Sequence, residues 1–409
     1  MNQYQPTNLS VLNDPIYGFI TIPESFISDL IEHPYFQRLR RISQVGLSHL
    51  VYPGAHHTRF QHAIGSMHLM QKALSVLKRK GVLISPEESR AVYTAILLHD
   101  IGHGPFSHAL ENSLVKGVEH ETLSLRFMEV LNTEFQGALS LAIDIFKGVY
   151  PRKFLNQLVS SQLDMDRLDY LKRDSFYAGV PEGNINADRM ITMLNVQDDR
   201  LVLEEKGMYS VEKFIVARRL MYWQVYLHKT GLAAEKLLEK VLKRAKELVS
   251  KGVEVPASEP LSYFLQHPVS AKRLDIHTLE VFAKLDDYDL LSAIKTWAFH
   301  KDRVLSVLSE NLINRKLPKV LLQNEPFDPT WLKECREQAL QKLNMTVAEL
   351  EYFVYDGHIT NQAYDSVNNP IRILLKDGTV KDIAEASDYL NIQALSKPVY
   401  KYYICFPKD

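Results

Sequence analysis

The chain has 409 residues, 46% of them hydrophobic and 24% charged, with a formal net charge of −1. Such a chain can bury a sizeable core, and its charge excludes a general attraction to nucleic acid or acidic membranes, so any polyanion must bind a local basic cluster. Cys335 and Cys405 form no disulfide framework and lack zinc-site spacing. No apolar run approaches a membrane span, so we expect a cytoplasmic protein without membrane contact.

The first fifty residues combine a turn with two predicted helices. Residues 11–22, which contain Asn13-Asp14-Pro15-Ile16-Tyr17-Gly18, predict a turn and a short extended piece. Helices are predicted over 25–32 and 35–45, and the second carries a basic cluster with two glutamines: Arg38, Arg40, Arg41, Gln37 and Gln44. A solvated face is the simpler interpretation of this cluster, and phosphate capture by guanidinium groups is the functional one.

Three histidines and a carboxylate lie within ten positions at 99–108, in the stretch His99-Asp100-Ile101-Gly102-His103-Gly104-Pro105-Phe106-Ser107-His108. Apolar spacing predicts a helix over 88–98 before it. If that helix continues through the glycine, His99 and His103 share one face. Pro105 must end it and suits the start of a helix over 106–114, which places His108 where an anion such as phosphate is favoured.

A histidine followed by an aspartate is weak evidence alone, but similar residues occur elsewhere in the chain. His62 lies in the first turns of a helix predicted over 59–80, and Asp164 and Asp166 flank the apolar Met165. Taken singly, His62 and His120 are more simply ordinary core or surface residues. Together, imidazole and carboxylate groups suit a borderline divalent metal. We therefore expect a divalent metal ion as cofactor, Mn, Fe, Mg, Zn or Co, with Mn favoured.

The remainder of the first 250 residues is predicted as helices around one hairpin. The helices span 120–131, 139–146, 154–159, 162–177 and 209–249, with a possible interruption of the last at Gly231, and the hairpin spans 191–205. On helix 162–177, Asp169 and Arg173 are spaced for an ordinary surface salt bridge. Helix 209–249 places Arg218, Tyr222, Tyr226 and Lys229 on one stripe, which suits interdomain packing or a clamp for a base and its phosphates.

The residue pattern changes towards the C-terminus, where segments typical of β-strands appear. Residues 352–355, 371–375 and 400–406 are predicted strands. The expected fold class is mainly α, with a helical core over 1–250, a helical extension over 251–318 and a small α+β lobe over 319–409.

Seven ordered motifs between residues 13 and 248 carry a family resemblance. They are Asn13 to Gly18, Phe36-Gln37-Arg38-Leu39-Arg40, Tyr52-Pro53-Gly54-Ala55, Arg59-Phe60-Gln61-His62, the 99–108 stretch, Asp164-x-Asp166-x-x-Asp169-Tyr170 with Arg173-Asp174, and Tyr226-x-His228-Lys229. With them the chain resembles the HD-domain metal-dependent phosphohydrolases. Within that superfamily it is similar to the dNTP triphosphohydrolases related to the animal SAM-and-HD-domain enzyme and to bacterial dGTPases.

The resemblance implies an HD-domain core and assigns site residues by matching. The implied metal ligands are His62, His99, Asp100 and Asp166, and the implied catalytic residues around the reacting phosphate are His103, His108 and His120. The implied substrate residues are Arg59, Arg167, Tyr170 and Arg218 at the triphosphate, Gln44 and Asp174 at the sugar 3′-hydroxyl, and Tyr226 closing the pocket against a ribose. Asp164 is a further implied substrate residue. Animal members carry lysine at the position of Arg167.

The resemblance also implies a second nucleotide site and an oligomer. The residues that match an activating-nucleotide pocket are Asn13, Glu32, Gln37 and Arg40, with aspartate replacing Glu32 in animal members. A dimer or tetramer is implied, with the effector nucleotide near the subunit contacts.

The expected reaction is hydrolysis of a dNTP at its α-phosphorus by metal-activated water, which releases a deoxynucleoside and inorganic triphosphate. His108 is the expected proton donor to the leaving 5′-oxygen, assisted by His120. Two alternatives stay open. One is another HD phosphohydrolase, a nucleotidase or a cyclic-nucleotide phosphodiesterase. The other is a nucleotide-sensing or nucleic-acid-binding protein, for which the stacking aromatics and basic groove are only faintly present.

Overall fold

The computed structural model describes residues 10–106, 113, 117–267, 269, 274–388 and 391–408. Helices dominate this part of the chain, which confirms the prediction of a mainly α fold. The helices up to residue 250 are α1 (Ser25–Glu32), α2 (Pro34–Gln37), α3 (Arg59–Arg79), α4 (Pro86–Leu98), α5 (His120–Glu134), α6 (Ser140–Phe146), α7 (Lys153–Val159), α8 (Met165–Ala178), α9 (Ala187–Met193), α10 (Met208–Met221) and α11 (Lys229–Ser250).

The later part of the chain adds shorter helices and the predicted α+β lobe. These helices are α12 (Glu259–Gln266), α13 (Ile276–Phe282), α14 (Asp287–Trp297), α15 (Arg303–Ile313), α16 (Pro329–Leu343), α17 (Val347–Leu350), α18 (Ile383–Ala386) and α19 (Asn391–Leu395). Across the residues described, no helix is both long and apolar enough to cross a membrane.

Three small sheets accompany the helices. The strands are β1 (Val11–Asp14), β2 (Gly18–Thr21), β3 (Leu194–Gln197), β4 (Arg200–Glu204), β5 (Lys319–Gln323), β6 (Tyr355–Asn361), β7 (Arg372–Leu374), β8 (Val380–Asp382) and β9 (Val399–Phe406). β1 and β2 form an antiparallel hairpin, with Asn13 opposite Phe19. β5, β9 and β6 form one antiparallel sheet, and β3, β4, β7 and β8 form another. Because β7 pairs in parallel with β4, the C-terminal lobe joins the helical core through a shared sheet.

Local sequence signals fix where the central helices begin. The Gln61 side chain accepts a hydrogen bond from Thr58 N at 2.8 Å at the start of α3. A reciprocal Ser85–Glu88 capping box and Pro86 start α4. The Asp164 carboxylate caps α8, accepting from Arg167 N at 2.7 Å. These three helices carry the predicted site residues, and α3 packs against both α4 and α8.

Four local predictions differ from the structure, each where tertiary contacts prevail over local pattern. The helix predicted over 35–45 ends at Gln37 and continues as a 3₁₀ turn over Arg38–Arg41. Arg38 is fully buried and donates to the backbone oxygens of Leu285 and Ile101, so the solvated-face interpretation is wrong for it. The strand predicted over 352–355 starts only at Tyr355.

The end of α4 is as predicted, and the fourth difference is an interruption in a long helix. α4 ends at Leu98; it does not continue through Gly102, so His99 and His103 do not share a helix face. Ser124 Oγ donates to His99 O at 2.6 Å and accepts from Gly102 N at 2.9 Å, which satisfies backbone groups beyond the end of α4. The long helix over 209–249 is interrupted not at Gly231 but by a π turn at Tyr222–Tyr226, followed by His228, whose side chain accepts from Thr230 N at 3.2 Å.

Gly102 lies directly against the backbone of the first turns of α5. A Cβ there would lie 2.3 Å from both His120 O and Ser124 N, which are backbone atoms that cannot rotate away. Gly102→Ala should therefore lower the free energy of unfolding by about 1–3 kcal/mol, measured by denaturant titration. Gly231→Ala is the control, because its Cβ would meet nothing within 4 Å and should be neutral or stabilising inside α11. Equal stability of both variants would contradict this account of the packing.

Candidate metal centre and nucleotide pocket

Side chains from three separate elements converge at the centre of the helical core. His62 comes from α3, His99 and Asp100 follow the end of α4, and Asp166 lies in the first turn of α8. His62 is fully buried, and Asp166 retains 25% side-chain exposure, which leaves the cluster open on one side. The structure thus brings together the four residues predicted as metal ligands.

The distances within this cluster are those of a site that can hold one cation. Asp166 Oδ1 lies 3.1 Å from His62 Nε2 and 3.4 Å from His99 Nε2. The two Nε2 atoms are 3.4 Å apart. Asp100 Oδ1 lies 3.3 Å from His99 Nε2, and Asp100 Oδ2 lies 3.7 Å from His62 Nε2. His62, His99 and Asp166 each offer one ligand atom, all within 4.8 Å of one another.

Hydrogen bonds on the far side of each imidazole fit metal ligation. His62 Nδ1 donates to Asp169 Oδ2 at 2.8 Å, and His99 Nδ1 donates to the backbone oxygen of Ile96 at 2.6 Å. With each Nδ1 proton committed, both Nε2 atoms face the shared space, where each would offer its lone pair to a metal that takes the place of the Nε2 proton. Imidazole nitrogens and carboxylate oxygens together have the ligand chemistry of a divalent metal site, and this donor set does not select one metal.

The charges around the cluster favour a cation at the same point. Burial opposes a charge on His62, but hydrogen bonds with Asp166 and Asp169 outweigh it and raise the pKa of His62 to about 10. Asp100 is also buried and Asp166 partly so, yet the neighbouring histidines hold the pKa of both carboxyl groups well below its usual range. The anionic carboxylates therefore make the space between the Nε2 atoms a place for positive charge.

His103 and His120 form a second, adjacent group with Asp100. Their rings stack with centroids 3.8 Å apart and planes 19° apart, and His103 Nε2 lies 3.2 Å from Asp100 Oδ1. Burial, and then the charge of Arg59, lower the pKa of His103 to about 3, so this imidazole is neutral at pH 7. His108, the predicted proton donor, lies outside the described residues. Two of the three predicted catalytic histidines therefore lie beside the four predicted metal ligands.

Three arginines are predicted to bind phosphate, and each has a different partner. Arg59 Nη1 lies 2.5 Å from Asp100 Oδ2. Arg167 Nη1 lies 2.5 Å from Asp164 Oδ2, and Asp164 also caps α8, which gives this carboxylate a structural task. Arg218 Nη1 donates to Ala363 O at 3.2 Å and lies over the Tyr222 ring. Substrate contact by Asp164 stays a prediction.

Two of the residues predicted to bind the sugar, Asp174 and Tyr226, form a polar cluster beside Tyr170. The Tyr226 hydroxyl donates to Asp174 Oδ2 at 2.7 Å, and the rings of Tyr170 and Tyr226 meet at right angles with centroids 6.1 Å apart. Tyr170 in turn lies 6.4 Å from the His62 ring, which places the pocket next to the metal cluster. Asp174 also contacts His57, at 2.6 Å. Sequence reasoning missed His57; its only signal was its place between the Tyr52-Pro53-Gly54-Ala55 and Arg59-Phe60-Gln61-His62 motifs.

The residues predicted for an activating nucleotide lie on the surface. Arg40 Nε donates to Gln37 Oε1 at 2.8 Å, so these two residues meet. Asn13 on β1 and Glu32 at the end of α1 are exposed. The Arg40 guanidinium lies 3.6 Å from the centroid of the Phe60 ring. Phe60 directly follows Arg59 in the chain, and Arg59 pairs with Asp100 of the cluster.

Comparison with known proteins agrees with this geometry. Residues 59–171 match the family model described as HD domain, and residues 185–256 match the one described as HD associated region. YwfO of Bacillus subtilis is 30% identical over 414 residues, covering 98% of this chain and 92% of YwfO. The SAMHD1 homologue of Dictyostelium discoideum, named a deoxynucleoside triphosphate triphosphohydrolase, is 30% identical over 267 residues. The chain belongs to the HD-domain family.

The matches differ in how much of each HD-domain protein they cover. The Dictyostelium match covers 60% of this chain and 52% of that protein, so the chain spans about half the length of this relative. A crystal structure of a phosphohydrolase from Bacteroides thetaiotaomicron is 54% identical, with a TM-score of 0.94, and covers 98% of this chain and 100% of that one. The family predicted from the seven motifs is therefore confirmed.

The far-side hydrogen bond of His62 gives a test of the metal centre. Asp169→Asn should weaken Mn²⁺ binding about ten- to a hundredfold in calorimetric titration, because the His62 ring loses its charged orienting partner. Asp302→Asn is the control. Asp302 also pairs with an arginine, Arg244, but contacts none of the four predicted ligands. Equal Mn²⁺ affinity in the two variants would contradict a role of Asp169 in metal binding.

Proposed function

We propose that the protein is a metal-dependent dNTP triphosphohydrolase that cleaves a dNTP to a deoxynucleoside and inorganic triphosphate. The observation that carries this proposal is the position of the His62, His99, Asp100 and Asp166 cluster, with guanidinium groups beside it and the Tyr170, Asp174 and Tyr226 pocket adjoining it. A phosphate chain and a sugar could occupy these neighbouring regions together.

The four cluster residues would hold a divalent metal. When bound, such an ion lowers the pKa of a coordinated water and polarises a phosphoryl oxygen. The protein's own part is to fix the ligands, through Asp169 and the backbone oxygen of Ile96, so that two Nε2 atoms and two carboxylates face the same point.

Arginines next to the cluster would bind and orient the phosphates. Arg59 is held beside the cluster by its ion pair with Asp100, and Arg167 is held by an ion pair with Asp164, two residues before Asp166. Guanidinium forks match phosphate oxygens in geometry and stay charged at every relevant pH, so they would bind the triphosphate and stabilise charge that develops in the transition state.

The leaving 5′-oxygen needs a proton, and the histidine group supplies the candidates. His103 is held neutral and stacks on His120, so its ring would position the His120 imidazole. Proton donation by His108 or His120 follows from the family resemblance and stays part of the proposal.

Product analysis tests the reaction class. Purified protein incubated with each dNTP and Mn²⁺ or Mg²⁺ should release deoxynucleoside and intact triphosphate in equal amounts, resolved by ion-exchange chromatography. Release of phosphate or pyrophosphate would indicate a different phosphohydrolase. The same chromatography with nucleoside monophosphates and cyclic dinucleotides as substrates distinguishes the nucleotidase and phosphodiesterase alternatives.

Removing one predicted ligand tests the metal dependence of the activity. Asp166→Asn should lower kcat/KM by about a thousandfold or more, because several kcal/mol of charge stabilisation would be lost with the ion. Asp188→Asn is the matched control, since Asp188 pairs with Lys72 on the surface. Wild-type activity in Asp166→Asn would contradict the proposed site.

Activation by a nucleotide at a separate site is a second part of the proposal. The Arg40 contact with Phe60 supports it, because Phe60 follows Arg59 in the first turn of α3. A dNTP bound at Gln37 and Arg40 would thereby influence the position of the helix that carries Arg59 and His62. Mixtures of dNTPs should be hydrolysed faster than the same dNTPs given singly, measured as initial rates; additive rates for every pair would argue against activation.

A further inference from the structure

His57 is a buried histidine that neither the sequence predictions nor the metal cluster uses. It precedes α3, and its side chain has no solvent exposure. Nε2 donates to Asp174 Oδ1 at 2.6 Å, and the ring stacks on Tyr177 with centroids 4.5 Å apart and planes 12° apart. The ring is thus held on one face and at one edge, which leaves it little freedom to rotate.

The Asp174 carboxylate is bound from two sides. His57 donates to Oδ1, and the Tyr226 hydroxyl, at the end of the π turn, donates to Oδ2 at 2.7 Å. Burial, and next the charge of Asp174, raise the pKa of Tyr226 well above its usual value, so the phenol stays protonated and donates. Each carboxylate oxygen still has a lone pair for a further donor.

His57 also fixes the position of Gln44. Its backbone oxygen accepts from Gln44 N at 3.0 Å. Gln44 Oε1 is buried and has no hydrogen-bond partner among the residues described, and the same holds for His57 Nδ1. A buried acceptor without a donor is costly, so this part of the pocket offers acceptors to a ligand group that donates. A hydroxyl is such a group.

Resting on the proposed dNTP hydrolysis, we propose that His57 is a positioning residue that holds Asp174 and Gln44 for the sugar 3′-hydroxyl and thereby sets discrimination against substrates that lack it. His57 need not touch the substrate. It acts on the orientation of the Asp174 carboxylate through its side chain and on Gln44 through its backbone.

The test compares each dNTP that the wild type hydrolyses with its 2′,3′-dideoxy counterpart. In the wild type the ratio of the two kcat/KM values should be roughly ten to a hundred, as for a hydrogen bond to a charged group. His57→Phe keeps the aromatic stacking on Tyr177 but removes the donor to Asp174, so this ratio should fall about tenfold. The kcat/KM for the dideoxy substrate should change by less than about threefold.

His57→Gln provides the rescue, because its amide nitrogen reaches the position of Nε2, whereas His57→Asn is too short. The Gln variant should regain most of the ratio and the Asn variant should not. This pair decides the question even if His57→Phe does not fold. A purely structural role would lower both kcat/KM values together and leave their ratio unchanged.

The outcomes separate this inference from the proposed function. If the wild type hydrolyses no dNTP, the proposed function fails. If it hydrolyses dNTPs and their dideoxy counterparts equally well, or if the Phe and Asn variants keep the wild-type ratio, the role of His57 is overturned while the proposed function stands.

Discussion

The candidate metal site depends on the carboxylate of Asp169. This carboxylate accepts hydrogen bonds both from His62, a predicted metal ligand, and from the buried Arg173. Asp169 Oδ2 accepts from His62 Nδ1 at 2.8 Å and from Arg173 Nε at 2.9 Å, while Oδ1 accepts from Arg173 Nη2 at 2.9 Å. Arg173 also binds Asp14 at 2.8 Å, which ties the β1–β2 hairpin to the same chain of ion pairs. Leaving any member unpaired in this dry interior would cost several kcal/mol, so the hairpin and both helices must keep their places together.

This network also explains why α3 and α8 can cross so closely. A Cβ at Gly65 would lie 2.1 Å from Asp169 Oδ1 and 2.2 Å from Arg173 Nη2, so only glycine at this position of α3 leaves room for the ion pair on α8. The crossing places His62 above the first turn of α8, where Asp166 faces the metal position. Packing and ligand geometry are therefore set by the same contact.

Much of this could be predicted from the sequence, and what could not has a physical cause. Apolar periodicity and caps predicted α1 and the central helices to within a few residues, and the seven motifs predicted the family. The Asp169–Arg173 spacing was expected to be a surface pair, but local spacing carries no information on burial, and both side chains are buried. Likewise, no local pattern marks His57, because the residues that it contacts, Asp174 and Tyr177, are more than a hundred positions away in the chain. Long-range pairing of polar groups is invisible to local pattern.

The C-terminal lobe contacts residues that are proposed to bind the substrate or that lie close to them in the chain. Arg218 Nη1 donates to Ala363 O, and Gln162, two residues before the α8 cap, donates to Asp365 O at 2.7 Å and accepts from Asp365 N at 2.8 Å. The fully buried Tyr364 lies between these contacts, with its hydroxyl accepting from Ile371 N. The segment from 363 to 371 therefore holds both Arg218, which is proposed to bind phosphate, and the turn that caps α8. Since β7 follows that segment and pairs with β4, displacement of the lobe would alter the positions of Arg218 and of the Asp164–Arg167 pair together.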